Sequence, residues 1–321
     1  MRELARGVIV TLALVASACS EATADPTELE VGYCALRISL PLFVAEREGL
    51  FQKHGLDVRL RRYETAQPLV EELLDGRLGA GGYAALPIVL TAASRDGSRA
   101  HFATAMMEDR EHPISALLRR PGEGAIRSPA DLRGRSVGIL PTVAYRRWLE
   151  AILRHAGVDP AEVRVSPIAP PLQAGALAGG AVDALFTNDP MATAVVRSGV
   201  GEPVIDAPVP TALGGSLAFG TFLIHPRLLR ERPEDARRLI AALDEAIGFI
   251  EADQDAARAH MLHYVRAAER PHVSRYPDAR YLPSAEATDA LFTGEVRRSH
   301  ELGIVEAPLD VSGLRVSAER P

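Results

Sequence analysis

The chain has 321 residues, a formal net charge of −6, 47% apolar residues and only two cysteines. That length suffices for one large domain or two lobes of ordinary size. Mild acidity spread along the chain argues against a nucleic-acid partner, and short basic runs such as Arg59-Leu60-Arg61-Arg62 read as solvated surface.

The amino terminus sets the compartment. A basic stretch, Met1 to Arg6, precedes the apolar run Gly7 to Val15. A run of that length is too short for a bilayer-spanning helix, which needs roughly 20 residues, but it suits a signal-peptide core. It ends in Ala16-Ser17-Ala18-Cys19, small residues followed by a cysteine placed for diacylglycerol attachment. We expect residues 1–18 to be a lipoprotein signal peptide, Cys19 the lipidated residue and residues 19–27 a polar tether; simple cleavage after Ala18 is the alternative. Removing the leader leaves about 300 residues, and losing two Arg and one Glu moves the charge from −6 to −7. Cys34 is then the one remaining thiol, so no internal disulfide is expected. No second apolar stretch is long and charge-free enough to span a membrane.

The remainder alternates short β-like runs with longer helical ones, which predicts an α/β fold. Leu29 to Tyr33 is a first strand, and Ser39 is placed to cap a short helix stopped by Gly49. Leu56 to Leu60 is a strand, and Thr65 to Asp75 a helix ended by Gly76. After the Pro/Gly-rich connection Arg120 to Gly124, Val137 to Leu140 is a strand. Thr142 to His155 is a helix with Tyr145, Trp148, Leu149 and Ile152 at helical spacing. Val163 to Ile168, Pro170 to Gly179 and Val182 to Phe186 follow as strand, helix and strand. Pro233 opens a long helix whose apolar stripe runs from Ala236 to Ile250. A second helix is expected from about Gln254 to Glu269. Its His260 and His263 permit metal ligation by spacing, but no third ligand accompanies them, and surface histidines are the better reading. The rhythm of Gly76, Leu78, Tyr83 and Pro87 recurs about 104 residues on in Gly180, Val182, Phe186 and Pro190, which suggests two analogous lobes.

No catalytic constellation that holds is found: there is no His-Glu-x-x-His, Walker loop or Cys-x-x-Cys. Gly79 to Gly82 lacks the full dinucleotide spacing. Cys34 is better read as a small residue lining a cleft or core than as a nucleophile. The remaining candidates are strand-to-helix turns, where open α/β sheets bind ligands and helix starts attract anions. These are Cys34 to Ser39, Thr65 to Gln67, Gly82 to Tyr83, Pro141 to Tyr145, and Asn188 to Asp189. Arg37 either pairs with an anionic group or lies on solvated surface. Tyr83, Tyr145 and Phe186 offer apolar walls.

Five blocks at these turns carry a resemblance. They are Val31-Gly32-Tyr33 with PLFVAEREGLFQKHGLDVRL (41–60); LLDGRLGAGGYAALP (73–87); DLRGRSVGIL (131–140) with HAGVDPAEV (155–163); ALAGGAVDALFTNDP (176–190); and the segment 225–261. In this order the chain resembles ABC-transporter substrate-binding proteins of the nitrate/sulfonate/taurine class, which are related to thiamine-pyrimidine synthases. The resemblance implies a type II periplasmic binding fold: two α/β lobes around a cleft, residues 28–112 with 217–321 and residues 113–216, joined by two crossovers. It implies no catalysis and no cofactor or metal. Instead, a monomer captures a small organic or anionic solute, such as a sulfonate or carboxylate, and delivers it to an inner-membrane ABC permease. Carried over by position, ligand contacts fall on Cys34, Leu36, Arg37, Tyr83, Thr142, Tyr145, Asn188 and Asp189, and Thr65 joins them as a turn candidate. Gly79 stands where relatives often have Asp, and Asn188-Asp189-Pro190 where many have an aromatic-Glu-Pro. The cysteine-rich iron motif of the fungal synthases is absent. An exported enzyme or thiamine-pyrimidine-related protein on the same scaffold is the competing expectation.

Overall fold

In the computed structural model, which describes residues 28–96, 99–122 and 124–319, eleven named strands form two separate sheets. The expected leader, tether and Cys19 lie outside the described residues. In chain order the strands are β1 (Leu29–Cys34), β2 (Val58–Tyr63), β3 (Ala80–Ala85), β4 (His101–Glu108), β5 (Ser115–Arg119), β6 (Ser136–Ile139), β7 (Arg164–Pro167), β8 (Ala184–Asn188), β9 (Glu202–Asp206), β10 (Leu217–Ile224) and β11 (Arg280–Leu282).

The first sheet has the order β11-β4-β10-β3-β1-β2, and the second β7-β6-β8-β5-β9. The two follow one plan. Three parallel strands, β2-β1-β3 and β7-β6-β8, are extended by the strand that arrives from the other sheet, β10 or β5, lying antiparallel. The recurrence around Gly76 and Gly180 falls on matching places, since β3 and β8 are the third parallel strand of each sheet. The chain passes between sheets twice, through residues 109–114 and 207–216.

Burial explains the strand compositions. All eight residues of β10, LAFGTFLI, are buried, as expected of a central strand covered on both faces. The edge strand β2, VRLRRY, is mostly exposed or half-buried. One face of the first sheet packs Val31 and Tyr33 against helices Leu40–Arg47 and Pro233–Ala252, and the predicted stripe from Ala236 to Ile250 is buried there. The opposite face carries its own cluster, built on helix Ala66–Leu74 and Phe292. The outer face of the second sheet packs Leu118, Leu177, Leu185 and Val195.

Most expected elements lie within a residue or two of their observed bounds, with three differences. The strand expected at 56–60 begins at Val58 and runs to Tyr63. The helix from Gln254 stops at His260, passes through the 3-10 turn Met261–His263 and ends well short of Glu269. The turn lets Tyr264 stack on Phe43, with centroids 4.1 Å apart, and donate to Glu46; tertiary packing overrides local helix propensity. Ser39 makes no side-chain cap. It ends the 3-10 turn Arg37–Ser39, which feeds directly into helix Leu40–Arg47, and its hydroxyl is buried without a partner. A glycine makes room for this turn: a Cβ on Gly220 would lie 2.5 Å from Ile38 Cδ1 and 2.8 Å from Ala84 O.

Candidate functional site at the meeting of the lobes

β1 delivers the chain to the Arg37–Ser39 turn, and the turn places Arg37 between the two sheets. Its side chain is buried, which removes the solvated-surface reading. Nη1 donates to the carbonyls of Pro277 (2.7 Å) and Asp278 (3.2 Å), and Nη2 to that of Pro113 (2.8 Å). Nη2 also reaches Asp189 Oδ2 at 3.3 Å, a pair whose side chains are 3% and 4% exposed. Asp189 sits just beyond β8, and its Oδ1 accepts from the backbone N–H and hydroxyl of Thr193. A buried ion pair needs such additional hydrogen bonds to offset its lost hydration. Arg37 thus pairs with an anionic group, but that group belongs to the protein.

Glu108, which motif reasoning missed, ends β4 and is fully buried. Its Oε1 accepts from the N–H groups of Ile114 (3.1 Å) and Ser115 (2.6 Å) and from the Ser115 hydroxyl (2.5 Å). Oε2 has no partner. Burial raises the pKa of this carboxyl above the usual carboxylate range; the bonds from Ser115 and Ile114 and the Arg37 charge oppose that without cancelling it. The sole sequence signal was an acid closing the apolar run FATAMM.

Tyr145 approaches from the second lobe, on helix Val143–His155, with its ring beside Phe186 and Trp148. Its buried hydroxyl has no partner and is held protonated far above its usual range, first by burial and then by the charges of Glu108 and Asp189. Three buried polar atoms around this junction therefore lack protein partners, Arg37 Nε, Glu108 Oε2 and Tyr145 Oη, and Ser39 Oγ, at the end of the Arg37 turn, is a fourth. Buried polar atoms without protein partners are uncommon, and ordered water or a ligand is what ordinarily completes them.

Tyr83 lies one layer deeper. It is wholly buried in the first lobe, where its hydroxyl accepts from Thr104 Oγ1 at 2.6 Å. Its ring meets that of Tyr281, whose own hydroxyl donates to the Arg37 carbonyl at 2.6 Å. Tyr83 thus backs the Arg37 turn. Asn188 is half-buried at the end of β8, opposite Ser115. Thr65 and Thr142 are exposed, and Thr142 caps its helix by accepting from the Tyr145 N–H.

Cys34 and Leu36 pack into the cluster on the other face of the first sheet. Burial, reinforced by Glu64, pushes the Cys34 thiol up to about 12, so it is protonated at neutral pH and a poor nucleophile. In folded protein with Cys19 replaced by serine, Cys34 is expected at pH 8 to resist a thiol reagent such as dithionitrobenzoate and to react fully once unfolded in guanidinium. Rapid labelling of the native state would contradict this burial. His260 pairs with Glu48 at 2.8 Å. Among the described residues one group of potential metal ligands converges, Asp109, Glu111 and His112, and Asp109 already bonds His112 and Arg280.

The lobes also meet through aromatic contact. Trp148 of the second lobe lies 6.2 Å, centroid to centroid, from Phe219 on β10. Beside them is a small depression lined by Leu86, Pro87, Leu217, Glu295 and Arg298.

Comparison with known proteins agrees with this architecture. Over 91% of this chain and 92% of the other, the structure superposes on the periplasmic aliphatic sulphonate binding protein SsuA from Escherichia coli, with a TM-score of 0.72 at 18% identity. It superposes comparably on the desulfurization enzyme DSZB, with a TM-score of 0.66 at 18% identity over 90% and 96% of the two chains. By sequence it is 26% identical over 190 residues to the nitrate import ATP-binding protein NrtC from Synechocystis; the match covers 55% of this chain but only 28% of that relative. These likenesses establish the two-lobed periplasmic-binding fold. The sequence model of the NMT1-like family matches residues 22–265, and the chain belongs to that family.

Proposed function

We propose that this protein is the solute-binding component of an ABC importer, capturing a small organic or anionic solute between its lobes and passing it unchanged to a permease. The observation that carries this reading is that partnerless buried polar atoms of Arg37 and Glu108 in one lobe and of Tyr145 in the other belong to one electrostatically linked group at the junction. The lobes are residues 28–112 with 217–321, and residues 113–216. A solute satisfying atoms from both lobes favours the closed arrangement by its differential affinity for it. In this reading the protein acts as a monomer without cofactor or metal. It is exported behind the leader 1–18 and tethered through a lipid on Cys19 to the outer side of the membrane that holds the permease. Among the described residues no helix is long and apolar enough to cross a membrane.

The test is a calorimetric screen of nitrate, sulfonates, carboxylates, amines and pyrimidines, with recovery of the bound solute. One saturable site and chemically unchanged solute are expected. Tyr145→Phe should weaken that binding about tenfold, the worth of one hydrogen bond made in a buried site, with folding intact. A solute consumed during incubation would overturn the proposal.

The likeness to DSZB supports a second reading, an exported enzyme on the same scaffold. It is disfavoured by the state of the two residues such chemistry would recruit first, since Cys34 is held as a neutral thiol and Asp189 is engaged by Arg37.

A further inference from the structure

The charge balance of the site narrows the solute. Arg37 is the cation there, and its two Nη groups are already spent on three carbonyls and on Asp189. Only its Nε–H lacks a partner. Glu108 is buried beside it with no ion pair among the described residues, and one of its oxygens has no partner. The region therefore carries two carboxyl groups against one guanidinium, and its unfilled positions are an acid oxygen, two hydroxyls and a single N–H.

Resting on the capture reading above, we infer that the solute taken up between the lobes is an uncharged or cationic nitrogen compound, of the amine, amide or amidine class, whose N–H groups donate to Glu108 Oε2. An acceptor atom on the same molecule would take the Arg37 Nε–H. A sulfonate or nitrate ion fits poorly: it would place a second anion beside the buried Asp189 carboxylate and receive at most one hydrogen bond from a guanidinium whose charge is already answered. A donor-bearing molecule satisfies the acid oxygen, and the hydroxyls of Ser39 and Tyr145 adapt to either polarity.

Four planar probes of matched shape test this by calorimetry on the full mature chain: benzamidine, benzamide, benzoate and benzenesulfonate. Benzamidine and benzamide should bind at least about 30-fold more tightly than the two anions, given the stake of one buried charge and its hydrogen bond. Glu108→Gln keeps a carbonyl to accept from Ile114 and Ser115, and it should weaken benzamidine about tenfold or more while improving benzoate. The wild-type ranking decides the matter even if that variant folds poorly. An anion that equals or exceeds its nitrogen counterpart overturns the inference while leaving solute capture standing. Binding by none of the four also overturns it, and capture itself is then judged by the broader screen above.

Discussion

Replacing Arg37 with alanine is expected to abolish tight solute binding and to lower the thermal midpoint by about 5 °C. The argument starts from what the guanidinium holds. It joins the carbonyls of Pro277 and Asp278 in the first lobe to Pro113 on the passage and Asp189 in the second. Truncation leaves the Asp189 carboxylate buried with its cation removed, a change that costs about 3–5 kcal/mol when the remaining charge cannot reach water. The lobes can relieve part of that strain by opening, so part of the cost appears as a shifted closure equilibrium and part as lost stability. For a chain of about 300 residues, a loss of about 3 kcal/mol lowers the midpoint by about 5 °C. Small-angle scattering should report a larger radius of gyration for Arg37→Ala than for the parent. In a double-mutant cycle, Asp189→Ala combined with Arg37→Ala should cost less than the sum of the single changes, because the second substitution removes the orphaned charge. Strictly additive costs would show that the pair contributes nothing as a pair.

Phe43→Ala should be equally severe through a different mechanism. Phe43 has no exposed surface; it stacks on Tyr264 and meets the edge of Tyr33 at 5.5 Å. Removing the ring leaves a cavity under the helix that begins one residue after the Arg37–Ser39 turn, and such deletions cost about 3–5 kcal/mol. The urea midpoint should fall with the slope m little changed. Unlike Arg37→Ala, this substitution removes no hydrogen-bonding atom from the site. Protein that remains folded should therefore bind its solute nearly as tightly as the parent does. A large loss of affinity alongside normal stability would mean that Phe43 had been misplaced in the core.

The local and the long-range parts of this structure were unequally legible. Arg37, Tyr145 and Asp189 were accessible to sequence reasoning because each sits in a turn or at the first residues of a helix, where the backbone pattern itself marks the end of a sheet. The recurrence of Gly76 and Gly180 worked for the same reason: each lies just before the third parallel strand of its sheet. Glu108 was not legible. It closes an apolar strand, and its importance comes from Ile114 and Ser115 folding back on one oxygen while the other is buried without a partner. Cys34 and Leu36 were grouped with Arg37 by proximity in the chain, yet they pack with the cluster on the far face of the sheet. Side-chain parity decides that, and it is fixed only once a strand has its neighbours. Ser39 looked like a helix cap by type and place, but the preceding 3-10 turn leaves its backbone in the wrong conformation to serve as one.

The seam between the lobes also gives the molecule a built-in optical gauge. Trp148 is the one tryptophan in the chain, so all indole emission originates at a single known point. That point lies on the helix that carries Tyr145, with an aromatic neighbour in each lobe, Tyr145 on its own side and Phe219 across the junction. Parting the lobes withdraws Phe219 and admits solvent to the indole, whereas closure restores a dry, aromatic surrounding. Wavelength and quantum yield are therefore expected to follow any separation of the two halves, with no dye or engineered label needed.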